Sequence, residues 1–330
     1  MATAASAEPR AYAHANSELR PLTERVLARL PGPRVAWIAI WALVPWLNAA
    51  LNLIVEDEAR SAVWEQGRTL VILNYTVLSV GIVVAVWGTN RLARRLETLH
   101  STDAFRPFDS VWGPVGAAAA TAVAFGITAL AADGLAPAVL RGLTWFVVGI
   151  ALWTFLWAYG CLQLGLDRIA DEHLDTQTAP ADPGLGLRPL GETASMGLWM
   201  LFIWLAPLVL TGLPDVVGVV VGLGLLALGL GVFLVSIVRL HRRMIEVKAA
   251  ELAVARDLYA QAYAPVRASP TLDVLERQRN LLSAADALER RAQAIHDWPI
   301  DEGTVARVLT ITTSVVAISI ARLILDPLGL

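Results

Sequence analysis

The sequence is short of the residues on which most protein chemistry depends. It contains one cysteine, Cys161, and one lysine, Lys248, among 330 residues, and only 17% of its residues are charged. A single cysteine excludes a disulfide scaffold and a zinc ribbon. A lysine that lies outside every apolar run excludes the retinal Schiff base of a rhodopsin. Neither a Gly-x-Ser-x-Gly nor a His-Glu-x-x-His motif occurs, so we expect that the protein is not an enzyme.

Apolar residues make up most of the chain instead. Hydrophobic residues account for 56% of the sequence, and the mean hydropathy is +0.57. A helix needs about 20 mostly apolar residues to cross the hydrocarbon core of a bilayer. Runs near that length occur at 35–54, 69–87, 112–132, 142–165, 194–211, 216–238 and 304–325. The sequence therefore predicts an all-α integral membrane protein with seven transmembrane helices.

Basic residues lie mainly on one side of these predicted spans. Five arginines precede the first span and ten basic residues lie between Arg239 and Arg291, whereas the opposite segments hold only Arg60, Arg68 and Arg141. Because Lys and Arg near span ends resist translocation, we expect a cytoplasmic N-terminus and a C-terminus outside. The excess of arginine over lysine favours a bacterial plasma (inner) membrane. The net charge of −3 disfavours nucleic acid as a partner.

A charged segment at residues 239–302 separates the sixth and seventh spans. Its first part contains no Pro or Gly up to residue 263 and continues the sixth span as a helix, until Pro265 and the dipeptide Ser269-Pro270 interrupt it. This pattern predicts a cytoplasmic helical hairpin. The predicted domains are an N-terminal arm at 1–34, a six-helix transmembrane region at 35–238, the hairpin at 239–302, and the seventh helix with a short external tail at 303–330.

The returning helix of the hairpin carries an apolar seam at steps of three and four residues, which is typical of a coiled coil. The seam could pack only on the preceding helix of its own chain, or it could join several subunits into a cytoplasmic bundle. An isolated two-helix hairpin buries little surface, so we expect a homo-oligomer. The residues predicted to hold it together are Val274, Leu281, Ala285, Leu288 and Ile295.

The seventh span has one small, polar and cationic face. Charged residues within a span usually face protein or water rather than lipid, which makes this face the candidate lining of a pore. An alternative is structural, because Arg307 could snorkel to the cytoplasmic surface and Arg322 could pair with Asp326. The predicted pore-lining residues are Arg307, Thr310, Thr313, Ser314 and Arg322.

Other polar residues lie in or beside the first four spans. Asn48 and Asn52 in the first span and Asn74 in the second should find interhelical partners or line a water-filled vestibule on the outer side. After the fourth span, Asp167 and Asp171 begin an acidic run that predicts a solvated helix face rather than a metal site. No carboxylate lies within a predicted span, and all five histidines fall in cytoplasmic segments. We therefore expect neither a metal nor a cofactor.

Two functions are compatible with these features. The first is an oligomeric channel or pore-like protein that prefers anions, because the fixed charges on the seventh span are positive. In that case the coiled-coil hairpin would serve assembly or gating. The second is a non-conducting membrane scaffold or signalling subunit whose hairpin recruits a cytoplasmic protein partner. Both functions need the lipid bilayer as a partner.

The arginine bias yields a test of the predicted topology. A cysteine introduced by Glu58→Cys should react with an impermeant thiol reagent that is added outside intact cells, whereas one introduced by Glu276→Cys should not. Labelling is measured by a mass shift on denaturing gels after cell lysis. Reaction at residue 276 without reaction at residue 58 would reverse the assigned orientation.

Overall fold

The computed structural model describes residues 20–55, 68–97, 108–171, 187–211, 216–269 and 271–298, with single positions between 303 and 317. Most of the predicted seventh span and the first 19 residues of the N-terminal arm lie outside these ranges. Within them the chain forms helices and no strand. The helices are α1 Leu22–Arg29, α2 Arg34–Val55, α3 Arg68–Glu97, α4 Trp112–Asp133, α5 Leu135–Asp171, α6 Arg188–Thr211, α7 Val216–Ala268 and α8 Leu272–Ala294.

Several of these helices have the length and composition of membrane spans. Five segments are long and apolar enough to cross a bilayer: Arg34–Leu51, Ile72–Leu96, Trp112–Ala131, Leu135–Arg168 and Leu223–Ala268. The predicted all-α class is confirmed for the described residues, and these helices are compatible with a protein embedded in a membrane. The count of seven spans stays a prediction, because these five segments do not include the predicted fifth span at 194–211, which lies in α6, and the seventh falls mostly outside the described ranges.

A single residue, Gly134, joins α4 to α5. Its φ of 90° lies in the left-handed region that favours glycine. The two helices then run antiparallel in close contact, since a Cβ atom on Gly142 would lie only 3.3 Å from the Ala122 carbonyl oxygen. The Trp153 indole N–H also donates to the Thr121 hydroxyl at 2.9 Å. Residues 135–141, predicted to belong to an external loop, are therefore the first two turns of α5.

Helix α6 packs between α3 and α7. It contacts α3 at Gly81, where a Cβ atom would overlap the Trp204 indole, and α7 at Gly229, where a Cβ atom would overlap Leu201. Glycines at these two places let the helices approach closely, as small residues do between membrane helices. Large side chains fill the interior that results, including Ile82, Leu92, Phe155, Leu162, Leu198, Leu205 and Phe233. The described bundle thus has a packed core rather than a central channel.

Helix α7 is much longer than a membrane span. Its 53 residues extend for about 80 Å at about 1.5 Å per residue. Helix α8 runs antiparallel to the C-terminal half of α7. Residues 295–298 lie beside His241 and Lys248, whereas Asp286 and Glu289 lie beside Tyr259. We refer to residues 239–268 of α7 together with α8 as the helix pair.

The predicted seam of the returning helix is partly buried against its own chain. Ala285 and Ile295 are almost inaccessible, and Val274 and Leu288 are half-buried, whereas Leu281 retains 39% of its exposure. Opposite them, Ala255 and Ala262 of α7 are fully buried. Residues of one chain therefore form the buried contact between α7 and α8. That these residues also join subunits stays a prediction.

Two adjacent alanines of α8 provide a matched test of this contact. Ala285 is buried and Ala284 is exposed. We expect Ala285→Glu to separate α8 from α7, because an unpaired buried carboxylate costs on the order of several kcal/mol. Hydrogen exchange of peptides from residues 272–294 should then accelerate strongly. The control Ala284→Glu should leave exchange unchanged, and equal protection in both variants would show that the two helices are not packed as described.

Candidate functional site

Polar side chains line the contact between α5 and α7. Tyr159, Gln163 and Asp167 follow one another at four-residue steps on α5, which places them on one face of that helix. Ser236 and Arg239 of α7 lie opposite them. We refer to these five residues as the polar interface. Most of it falls within the two helical segments that could span a bilayer.

Four of the five side chains of the polar interface are hydrogen-bonded or paired. The Tyr159 hydroxyl donates to the Gly229 carbonyl oxygen at 2.9 Å. The Ser236 hydroxyl lies 3.1 Å from the carbonyl oxygen of Val232 and 3.3 Å from the backbone carbonyl oxygen of Gln163. The Arg239 guanidinium donates to Asp167 Oδ2 at 2.9 Å. These contacts fix α7 against α5 over about three helical turns.

The Gln163 amide is the exception. The residue is only 1% exposed, yet neither its oxygen nor its nitrogen has a hydrogen-bond partner among the described residues. The Tyr159 hydroxyl stands close to this amide but gives its proton to Gly229. Asp167 Oδ1 is also buried and has no hydrogen-bond partner among the described residues. A buried polar group without a partner costs about 1–3 kcal/mol, so a polar ligand at this place would be favoured.

A groove of about 350 Å³ opens beside the polar interface, between α5 and α7. Gln163, Asp167 and Ser236 line its inner wall. Its remaining walls are aliphatic or small, and they are formed by Leu164, Ala227, Leu228, Gly231, Val232 and Val235. The groove therefore combines an apolar surface with a few polar atoms, as ligand sites usually do.

A second group of side chains fixes the base of the helix pair. The ammonium group of Lys248, the only lysine in the chain, lies 2.8 Å from the Asp297 carboxylate and donates to the Ile295 carbonyl oxygen at 3.1 Å. His241 Nδ1 lies 2.6 Å from the Asp297 carbonyl oxygen, and since a carbonyl only accepts, Nδ1 carries the proton. The His241 ring stacks on Trp298, which packs against the core of the bundle. We refer to His241, Lys248, Asp297 and Trp298 as the base cluster.

Asp167 differs from its predicted place on a solvated helix face. It faces α7, where it pairs with Arg239, and its Oδ1 is buried. The segment that could span a bilayer has 34 residues and ends at Arg168, which is more than the roughly 20 residues that cross the core, so the absence of carboxylates from the spans stays a prediction. The four-residue spacing of Tyr159, Gln163 and Asp167 was the available signal. It was missed because the predicted span stopped at residue 165.

The predicted pore-lining residues are only partly described. Arg307 and Arg322 lie outside the described residues. Thr310, Thr313 and Ser314 are helical and exposed, and each hydroxyl donates to the carbonyl oxygen four residues earlier at 2.8–2.9 Å. Their hydroxyl protons are thus used within their own helix.

The predicted asparagine sites differ from one another. Asn48 is nearly buried, and its Oδ1 accepts a hydrogen bond of 3.1 Å from the Thr144 hydroxyl of α5. Asn74 is half-buried and its Oδ1 has no partner among the described residues. The side chain of Asn52 lies outside the described part. The structure does not bring these three residues into one described site.

Neither metal-ligating residues nor similarity to known proteins identifies a function for the described part of this chain. Across the described ranges, no three His, Cys, Asp or Glu side chains come close enough to hold a metal ion. No family model, no curated protein and no solved structure matches this chain. The polar interface, the groove and the base cluster are therefore the features on which a function must be argued.

Removing one of two ion pairs of α7 tests whether the base cluster holds α8 against α7. Lys248→Met should release residues 292–298 from α7, because the Ile295 carbonyl and the Asp297 carboxylate lose their shared donor, a loss worth about 1–3 kcal/mol. Hydrogen exchange of a peptide that covers residues 290–298 measures the release. The matched control is Arg243→Met, which removes an ion pair with Glu246 on the same helix and should have no such effect. Unchanged exchange in Lys248→Met would show that the base cluster does not hold the pair.

Proposed function

We propose that this chain is a multi-pass protein of the bacterial plasma (inner) membrane that acts as a scaffold or signalling subunit. The helix pair lies on the cytoplasmic side and recruits a protein partner, and the protein has no enzymatic activity of its own. The observation that carries this proposal is the continuity of α7. One unbroken helix belongs both to the packed bundle and to the helix pair.

A continuous helix transmits position between its two ends. A bilayer core of about 30 Å accounts for about 20 residues of α7, so more than half of its 53 residues extend beyond the core. The polar interface holds α7 against α5, and the base cluster holds α8 against α7 where the helix pair begins. A rotation or tilt imposed on the pair by a partner would therefore reach α5 and α6 through packed contacts rather than through a flexible linker.

The far end of the helix pair offers a surface for such a partner. Tyr263 near the end of α7 and Leu272 and Leu275 at the start of α8 are exposed, Leu272 by 78%. We refer to these three residues as the tip. Apolar side chains grouped on an otherwise charged surface mark interaction sites. Their position at a helix turn suits a partner that presents an apolar helix face, and a second copy of this chain is included in that class.

A conducting function would need a path that the described part of the packed core does not contain. Large side chains fill the space between α3, α5, α6 and α7 there. A pore would therefore have to run beside this core rather than through it. This is the physical reason why the scaffold is favoured over the channel.

The second candidate is the oligomeric, anion-preferring channel, with the helix pair serving assembly or gating. Thr310, Thr313 and Ser314 favour it, because they share one small polar face and are exposed on their own chain. Several copies could enclose a path lined by that face. Against it, their hydroxyl protons are already donated to backbone carbonyls.

A photocrosslinking residue at position 275 tests recruitment in intact cells. The scaffold function predicts that a crosslinker replacing Leu275 forms an adduct heavier than the single chain. The matched control is a crosslinker at Arg277, an exposed residue about 200° around α8 from Leu275, which should give no adduct. Mass spectrometry of the adduct distinguishes a different partner from a second copy. If no adduct forms at position 275, recruitment through the tip is excluded.

Conductance of the purified protein in planar bilayers decides between the two candidates. The scaffold predicts no current under voltage or membrane tension. A current whose reversal potential under a chloride gradient shifts in Arg307→Ala, but not in the conservative variant Val316→Ile, would establish the channel and reject the scaffold.

A further inference from the structure

We propose that the groove between α5 and α7 binds an anionic glycerophospholipid. One acyl chain lies along the aliphatic walls, an ester group meets the Gln163 amide, and the phosphate lies near Arg242, beside the paired Asp167 and Arg239. This site does not rest on the proposed scaffold function, because the lipid contacts lie between α5 and α7 and do not involve the tip.

The walls of the groove suit a hydrocarbon chain. Leu164, Leu228 and Val235 are each more than half exposed along its rim, on segments that could span a bilayer. Gly231 lies in the groove, and a Cβ atom there would meet nothing within 4 Å. The volume of about 350 Å³ is that of a site for a small ligand or for part of a lipid.

The Gln163 amide distinguishes this groove from an ordinary surface that faces lipid. An amide without partners in hydrocarbon is costly, and Gln163 is one of the residues that line the groove, with its amide buried behind the wall. Gln163 lies four residues before Asp167 on α5, which is about 6 Å along the helix axis. A glycerophospholipid places polar ester carbonyls one step deeper than its charged phosphate. The Gln163 amide is buried just behind the groove, and a rotation of its side chain would let the nitrogen donate to such a carbonyl while the acyl chain continues past Gly231.

Charge at the headgroup end favours an anionic lipid. Arg239 and Asp167 neutralise each other, and Arg243 and Glu246 form a second pair. Arg242 continues the groove face of α7 three residues beyond Arg239, is exposed, and makes no ion pair in the described part of the chain. Arg242 is therefore the basic side chain that an anionic headgroup can meet at this end of the groove. A basic residue near the surface is worth about 1 kcal/mol toward anionic lipid.

Two other occupants are conceivable and give different results. Residues 304–325 of the same chain could fill the groove, and so could a helix of a second copy. Either would place side chains, not a lipid, against Gly231. A test must therefore measure lipid directly and also detect protein in the groove.

Native mass spectrometry of the full chain measures lipid directly. The probes are phosphatidylglycerol and phosphatidylcholine with identical acyl chains, each titrated into protein in detergent. We expect one phosphatidylglycerol to be retained in preference to phosphatidylcholine. Gly231→Leu should reduce its binding at least about tenfold, since the new side chain occupies the groove. The matched control is Gly224→Leu, two turns away on the same face, where a Cβ atom also meets nothing within 4 Å but where no wall of the groove lies.

Two further variants separate the polar contacts. Gln163→Leu should weaken both lipids by about tenfold, because one hydrogen bond to the ester group is lost. Arg242→Gln should reduce the preference for phosphatidylglycerol by about fivefold and leave phosphatidylcholine unchanged. Circular dichroism and gel filtration of each variant establish that the chain still folds.

The proposal is overturned if Gly231→Leu and Gly224→Leu retain phosphatidylglycerol equally. It is also overturned if cysteines that replace Gly231 and a residue of 304–325 form a disulfide quantitatively in the native protein, because protein then fills the groove. Retention of one phosphatidylglycerol that is lost in Gly231→Leu, without such a disulfide, supports the lipid site.

Discussion

The close approach of α7 to α5 and α6 at Gly229 is the contact on which the rest of the arrangement depends. Leu201 of α6 occupies the place that a Cβ atom of residue 229 would need, and the Tyr159 hydroxyl of α5 donates to the carbonyl of the same residue. These two contacts set the depth and the rotation of α7. Because α7 then continues without a break, they also set where Arg239 meets Asp167 and where the helix pair leaves the bundle.

The two ion pairs that join α7 to the rest of the chain serve geometry more than stability. The Arg239 side chain is 57% exposed although it pairs with Asp167, and an ion pair with one exposed partner contributes at most about 1 kcal/mol. The Lys248 side chain is only 22% exposed. Its contacts with Ile295 and Asp297 hold the segment that follows α8 against α7. By contrast, the unpaired Gln163 amide costs stability where it stands. A polar group kept at such a cost inside an apolar contact is a reason to look for a ligand there.

Parts of the candidate site could be predicted from the sequence and other parts could not. The four-residue steps of Tyr159, Gln163 and Asp167 are visible in the sequence and place them on one face. Which helix covers that face is not visible, because α5 and α7 are separated by more than 40 residues and their relative depth follows from glycine contacts. The seam of α8 shows the same limit. Its spacing predicts a buried stripe, but only the fold shows that Ala285 and Ile295 are buried against their own chain.

The sequence by itself determined the class of the fold. Apolar runs near the length of a bilayer span, with few charges between their ends, leave helices as the only way to satisfy the backbone. It also determined that residues 239–263 are helical and polar. Only the tertiary structure decided that α4 and α5 turn on Gly134 alone, that Asp167 is paired, and that Gln163 has no partner in the described part. Local periodicity specifies which face of a helix is apolar, whereas the neighbour of that face depends on close contacts between residues that are far apart in the chain.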